Sequence, residues 1–127
     1  MRSAPKPTPA ELLILRILWE EGASTVREVQ ERLERQRPTG YTTVLKLLQI
    51  MAEKGLVARD ESARAHVYRA TLPEHQTQQQ LVRDLVDRAF GGSAATLVMQ
   101  ALTARRTTPE ELARIRQLLD RLEGDER

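Results

Sequence analysis

Thr8-Pro9-Ala10-Glu11, Thr25-Val26-Arg27-Glu28 and Thr108-Pro109-Glu110-Glu111 each place a threonine three residues before a glutamate at the head of an apolar period. The spacing is that of a capping box. The hydroxyl accepts from an orphan N–H of the first helical turn, and the carboxylate reaches back to the cap N–H. Two of the boxes add proline at the first helical position, where its missing N–H costs nothing. Helix starts are therefore expected near residues 8, 25 and 108, and an apolar period follows each. The first helix is predicted to end at Gly22, with Leu12, Leu15, Leu18 and Trp19 on one face. The second spans 26–36 and sets Val26, Val29 and Leu33 against Arg27, Glu28, Glu31, Arg32 and Glu34. The last spans 109–122 and carries Leu112, Ile115, Leu118, Leu119 and Leu122.

The stretch "TGYTTVLKLLQIMAEKGLV" at 39–57 gives a third helix, with Thr39 as its expected N-cap and Gly55 as its left-handed stop. Val44, Leu47, Leu48 and Met51 repeat at three and four, and a tight "RPT" corner joins this helix to the one before it. Beyond it, 56–60 and 66–71 are β-prone runs flanking "ESARA", a two-stranded ribbon with a basic tip at Arg64. Three helices and a hairpin make a winged helix. From Pro73 onward no strand signal returns. Leu81, Val82, Leu85, Val86 and Ala89 repeat up to a break at Gly91-Gly92, and 93–104 carries Leu97, Val98, Ala101 and Leu102. The expected fold is mostly α with a small β-hairpin: a winged helix-turn-helix domain at 1–72, then a three-helix domain at 73–127. Three short amphipathic helices cannot bury much by themselves. They are expected to form a homodimer through Leu81, Leu85, Leu97, Val98, Ala101, Leu102, Leu112, Ile115 and Leu119.

The chemistry available narrows the function. There are no cysteines, so disulfides and thiolate metal sites are excluded. His66 and His75 fall in different elements and lack further ligands at metal spacing, and neither metal nor cofactor is expected. "GGS" at 91–93 has no preceding strand and no following Lys-Ser or Lys-Thr, so it reads as a helix break and cap. Glu20-Glu21 and Glu110-Glu111 are adjacent on helices and diverge, so they cannot share a proton. With no catalytic constellation, an enzyme is not expected. No apolar run approaches the ~20 residues of a membrane span, and a cytoplasmic protein is expected. Residues 1–72 hold 12 Lys/Arg against 9 Asp/Glu, and 73–127 hold 8 against 9, so the front half suits an anionic partner better.

A helix that follows a tight turn and precedes a ribbon presents its N-terminal side chains to a DNA major groove. Tyr41, Thr42, Lys46 and Gln49 lie opposite Val44, Leu47 and Met51 and are free to reach base edges and phosphates. Hydroxyls serve either, Gln pairs with adenine and Lys approaches guanine. The expected double-stranded DNA contacts are Thr25, Arg27, Thr39, Tyr41, Thr42, Thr43, Lys46 and Gln49, with Arg64 and His66 from the ribbon. Aromatic residues are only 3% of the chain, too few for a single-strand stacking platform, and Trp19 reads as core. Two alternatives stand beside this reading: a winged helix used for protein interaction, and a regulator released by a small ligand.

The order "LLILRILWEEGASTVREVQERL", "YTTVLKLLQIMAEKGLV" and "ARAHVYRA" resembles the penicillinase-repressor family of winged-helix regulators. The specific matches are Leu18-Trp19, Thr25-Val26-Arg27-Glu28-Val29, Tyr41-Thr42-Thr43-Val44 with Leu47-Leu48, Lys54-Gly55-Leu56-Val57, and Val67-Tyr68. The resemblance implies a homodimeric repressor whose winged helix reads a dyad operator and whose C-terminal helices form the dimer. For some members it also implies a membrane sensor-protease system that ends in cleavage of the C-terminal domain. That cleavage would fall around Gln100 and Ala101, but the Asn-Phe bond of the cleavable members is absent here. The Cys-x-Cys motifs of the copper-responsive branch are absent too. In the third helix Lys46 stands where threonine is usual and Ile50 where arginine is usual, so a different operator is expected.

Overall fold

The computed structural model describes residues 6–125. The elements run α1 (Pro9–Glu21), β1 (Ser24–Thr25), α2 (Val26–Glu34), α3 (Tyr41–Lys54), β2 (Val57–Asp60), β3 (Val67–Ala70), α4 (Glu74–Ala89), α5 (Ala94–Ala104) and α6 (Pro109–Asp125). Two compact units are present, 1–82 and 83–127, and the division falls inside α4.

All three capping boxes close. Thr8 and Glu11, Thr25 and Glu28, and Thr108 and Glu111 each exchange the two reciprocal bonds, at 2.8–3.2 Å. In the first unit α1, α2 and α3 enclose a core of Ile14, Leu15, Ile17, Leu18, Val26, Val29, Leu33, Val44, Leu48 and Met51, closed by Leu56, Val57 and Tyr68. On α1 the inward face differs from the periodic reading. Ile14 and Ile17 are fully inside with Leu15 and Leu18, whereas Leu12 and Trp19 pack against the edge of this core. Trp19 also makes a polar contact. Its Nε1–H donates to the Leu72 carbonyl at 3.0 Å, tying α1 to the segment that leaves the sheet.

The expected hairpin forms as β2 and β3, and β1 joins its free edge to give an antiparallel sheet of order β1-β3-β2. Ser24 pairs with Tyr68 and Thr25 with Val67. This third strand has no signature in the sequence, because two residues are too short to show a period. Its effect is to pin the front of α2 to the base of the wing.

The N-cap of α3 also differs from expectation. Gly40, in extended geometry and without a side-chain bond, precedes the helix. Thr39 braces the corner instead. Its hydroxyl donates to the Arg37 carbonyl at 3.1 Å, and its N–H donates to Glu34 Oε2 at 2.9 Å. The local bonds of the Arg37-Pro38-Thr39 turn outcompete the cap. At the other end Gly55 has φ 82°, a left-handed conformation that a side chain disfavours, and the chain turns there into β2.

One buried ion pair fixes the end of α3 against the start of α1. Lys54 Nζ lies 2.7 Å from Glu11 Oε1, and the Glu11 residue is only 2% exposed. Burial pushes the Glu11 carboxyl up, but the Lys54 ammonium and the Thr8 N–H and hydroxyl outweigh it and hold the group below its ordinary value. The same carboxylate thus caps α1 and anchors α3.

In the second unit, Ser93 caps α5 by accepting from the Thr96 N–H at 3.0 Å. Val86 is the only buried side chain among its described residues.

Candidate nucleic-acid interface

The front of α3 faces a cleft of about 500 Å³ lined by Thr25, Val26, Arg27, Tyr41, Leu45, Arg64, Ala65, His66 and Tyr68. Three elements converge there, each for a local reason. The capping box sets Thr25 at the start of α2, and Arg27 follows two residues later on the outer side of that helix. Tyr41 opens α3 immediately after Gly40. Arg64 and His66 come from the turn between β2 and β3, which the Asp60 carboxylate shapes by accepting from the Ser62 N–H at 2.9 Å. Bonds from Ser62 hold the Asp60 carboxyl below its usual value.

Within the cleft the Arg27 guanidinium lies over the Tyr41 ring, 5.4 Å from its centroid. The ring face holds the cation by its quadrupole and leaves guanidinium N–H groups available outward. The Thr25 hydroxyl already accepts from the Glu28 N–H, and its own proton is still available to a further acceptor. His66 Nε2 is 3.9 Å from Glu61 Oε1. Among the described residues, Arg32, Lys54, Arg59 and Arg88 are engaged with carboxylates, whereas Arg27, Lys46 and Arg64 are in no ion pair. The three cations around the front of α3 are thus among those not engaged with carboxylates.

Five of the residues expected from sequence therefore meet at one place: Thr25, Arg27, Tyr41, Arg64 and His66. Thr42, Thr43 and Lys46 are exposed along the outer face of α3, continuing from it. Gln49 is exposed as well but borders a separate hollow with Ala52, Glu53, Arg59 and Glu61. Thr39 is drawn into the corner, as described, and lines neither. Sequence reasoning missed Leu45 and Tyr68 as walls of the cleft. Leu45 sits between the inward and outward stripes of α3, and Tyr68 reaches the cleft from β3, the strand with which β1 pairs.

The second unit presents a different surface. Leu85, Val98, Met99, Leu118, Leu119 and Leu122 are between 43% and 66% exposed. Of the expected dimer residues, Leu81, Leu97, Leu102, Leu112 and Ile115 are half-buried, and Ala101 is exposed with Leu85, Val98 and Leu119. Gln100 and Ala101 both lie in α5 and are exposed. No helix among the described residues is long and apolar enough to cross a membrane.

Comparison with known proteins places this architecture. The family model of the penicillinase repressors matches residues 7–121. The chain belongs to the penicillinase repressor family. The Penicillinase repressor of Bacillus licheniformis is 21% identical over 120 residues, which are 94% of each chain. The Transcriptional regulator BlaI of Mycobacterium tuberculosis is 36% identical over 78 residues, 61% of this chain and 54% of that one. Among solved structures, the monomeric form of Bacillus licheniformis BlaI in complex with the blaP half-operator superposes with TM-score 0.51 at 23% identity. That match covers 58% of this chain and 90% of the other, and at such identity it shows the fold: a winged helix. These penicillinase repressor relatives are transcriptional regulators, not enzymes.

Proposed function

We propose that this penicillinase repressor homologue binds a double-stranded DNA operator as a homodimer, with α3 of each subunit in a major groove and the wing on the flanking backbone. The convergence of Thr25, Arg27, Tyr41, Arg64 and His66 on one open cleft at the front of α3 carries the reading. In it Arg27 and Arg64 meet phosphates, with Thr25 and His66 beside them, while Thr42, Thr43, Lys46 and Gln49 reach base edges. A relative of the same fold solved on a half-operator supports it. Residues 1–72 are then the reading domain and 73–127 the pairing domain. The exposed apolar side chains of α4 to α6 support this assignment, because a second copy would cover them. The protein would act in the cytoplasm, where the DNA is.

Release from the operator by a membrane sensor-protease would require unwinding α5, since Gln100 and Ala101 lie within it. We expect the chain to stay intact when a sensor-protease of a cleavable relative is co-expressed. Mass spectrometry showing a fragment that ends at Gln100 would contradict that.

The test of DNA binding begins with genomic fragments selected by the purified chain. Log affinity should fall with log salt with a slope of at least roughly −3 to −4, from Arg27 and Arg64 of two subunits. Lys46→Ala and Gln49→Ala should cost on the order of 1–3 kcal/mol on the best operator and less on random DNA. A flat salt response would instead favour a protein-interaction module.

A further inference from the structure

We infer that Ile50 is a specificity residue of the DNA-reading helix, making apolar contact with the C5-methyl group of a thymine in each half-site. The inference rests on the reading of α3 as the element in the major groove. Within the first unit Ile50 is 37% exposed, whereas Leu45, Leu47 and Ala52 of the same helix pack against the core. Single exposed apolar residues are common on protein surfaces. Ile50 stands out by its place. At about 100° per residue it falls on the exposed arc of α3 between Thr43 and Lys46, toward the Leu47 side, the three being spaced at three and four like neighbours on one face.

Chemistry then selects the ligand. A side chain with only carbon atoms cannot pair with a base-edge donor or acceptor, and against a phosphate it would strip water without replacing a hydrogen bond. The apolar group that the major groove presents on an unmodified base is the thymine methyl, which distinguishes A·T and T·A from the other pairs. An isoleucine facing any other base edge would desolvate polar atoms without compensation, so it selects against those pairs as well as for thymine. Ile50 lies four residues from Lys46, about 6 Å along the helix axis. The thymine it meets is therefore within about two base pairs of the one Lys46 reads, given the 3.4 Å step of a DNA strand.

Replacing one thymine at a time by deoxyuridine in the selected operator removes that methyl and nothing else. The full-length wild-type chain should lose roughly four-fold in affinity at one position per half-site, the factor for one methyl group withdrawn from an apolar contact. Ile50→Ala should bind the thymine operator weaker by a similar factor and be indifferent to deoxyuridine there, with Ile50→Val between the two. Unchanged thermal unfolding of both variants checks that the exposed position leaves the fold intact. The sensitive position should lie within two base pairs of the one where Lys46→Ala relaxes base preference. If no deoxyuridine position affects the wild type, or if Ile50→Ala remains as sensitive as wild type, the role of Ile50 is overturned while sequence-specific DNA binding stands. Failure to select any preferred fragment overturns the DNA-reading proposal, and this one with it.

Discussion

The two halves of the chain use the same building material to opposite ends. In the first unit, thirteen apolar residues from three helices and a sheet are nearly withdrawn from water. In the second, α5 and α6 have apolar periods as regular as those of α1 and α2, but neither contains a buried residue. Both stretches have capped starts and helical spacing. Topology separates them: a sheet and a crossing helix give α1 to α3 something to pack against, whereas the second unit has no third layer of its own. Patterning declares which face wants burial. It does not say whether the cover comes from the same chain.

The contrast can be broken most severely by removing the second unit. A fragment ending at Val82 should unfold cooperatively on its own but bind the operator about 10²–10⁴-fold more weakly, since the second half-site is no longer held at high effective concentration. Full affinity in the fragment would leave the apolar faces of α5 and α6 without the pairing role. Next in size is the response to substitutions within each half. Leu48→Ala should destabilise the first unit by about 2–5 kcal/mol at any protein concentration. Leu119→Glu should leave that unit's unfolding unchanged and instead shift sedimentation toward monomer. Melting of the full chain should accordingly depend on concentration, and a melt independent of concentration would argue against association.

A smaller effect concerns the anchor between α1 and α3. Lys54→Ala leaves the buried Glu11 carboxylate without its cation and should cost about 1.5–3 kcal/mol in chemical denaturation. The pH dependence has a definite sign. Because Glu11 is held below its ordinary value in the folded state, its contribution is full above the unfolded value near 4.5 and is lost as pH falls through the folded one. The acid limb of a stability curve should therefore flatten in Glu11→Gln. Smallest is the cap of α2, where Thr25→Ala should cost about 1 kcal/mol of stability. The same change should weaken DNA binding further if the hydroxyl also meets a phosphate.

Much of the first unit was legible because its signals are local. Thr8, Thr25 and Thr108 announce helix starts by spacing alone, and Gly55 announces a stop. The candidate site was legible where a residue's outward position follows from its place on one helix, as with Thr42 and Lys46, whereas Tyr41 shares the stripe of Val44 and Leu48 and is exposed because it opens the helix. It was not legible where position depends on pairing. Ser24-Thr25 becomes a strand only because β3 lies beside it, and Leu45 and Tyr68 become cleft walls only once the wing is folded against α2 and α3. Thr39 failed as a cap for a related reason: Gly40 takes the cap position, and the Thr39 hydroxyl is turned into the Pro38 corner, where it donates to the Arg37 carbonyl instead of accepting from an N–H of α3. The choice between Leu12 and Ile14 on α1 depended on where the neighbouring helices cross it, which a period of 3.6 leaves open.

The central claim is that one unit reads DNA and the other couples two readers. Its most direct test is the affinity of the full-length chain for its selected operator with about half a helical turn inserted between the half-sites. Binding should drop to the level of the Val82 fragment on a single half-site, because two recognition helices related by a two-fold axis can no longer meet both grooves. Undiminished affinity on the lengthened operator would contradict the claim.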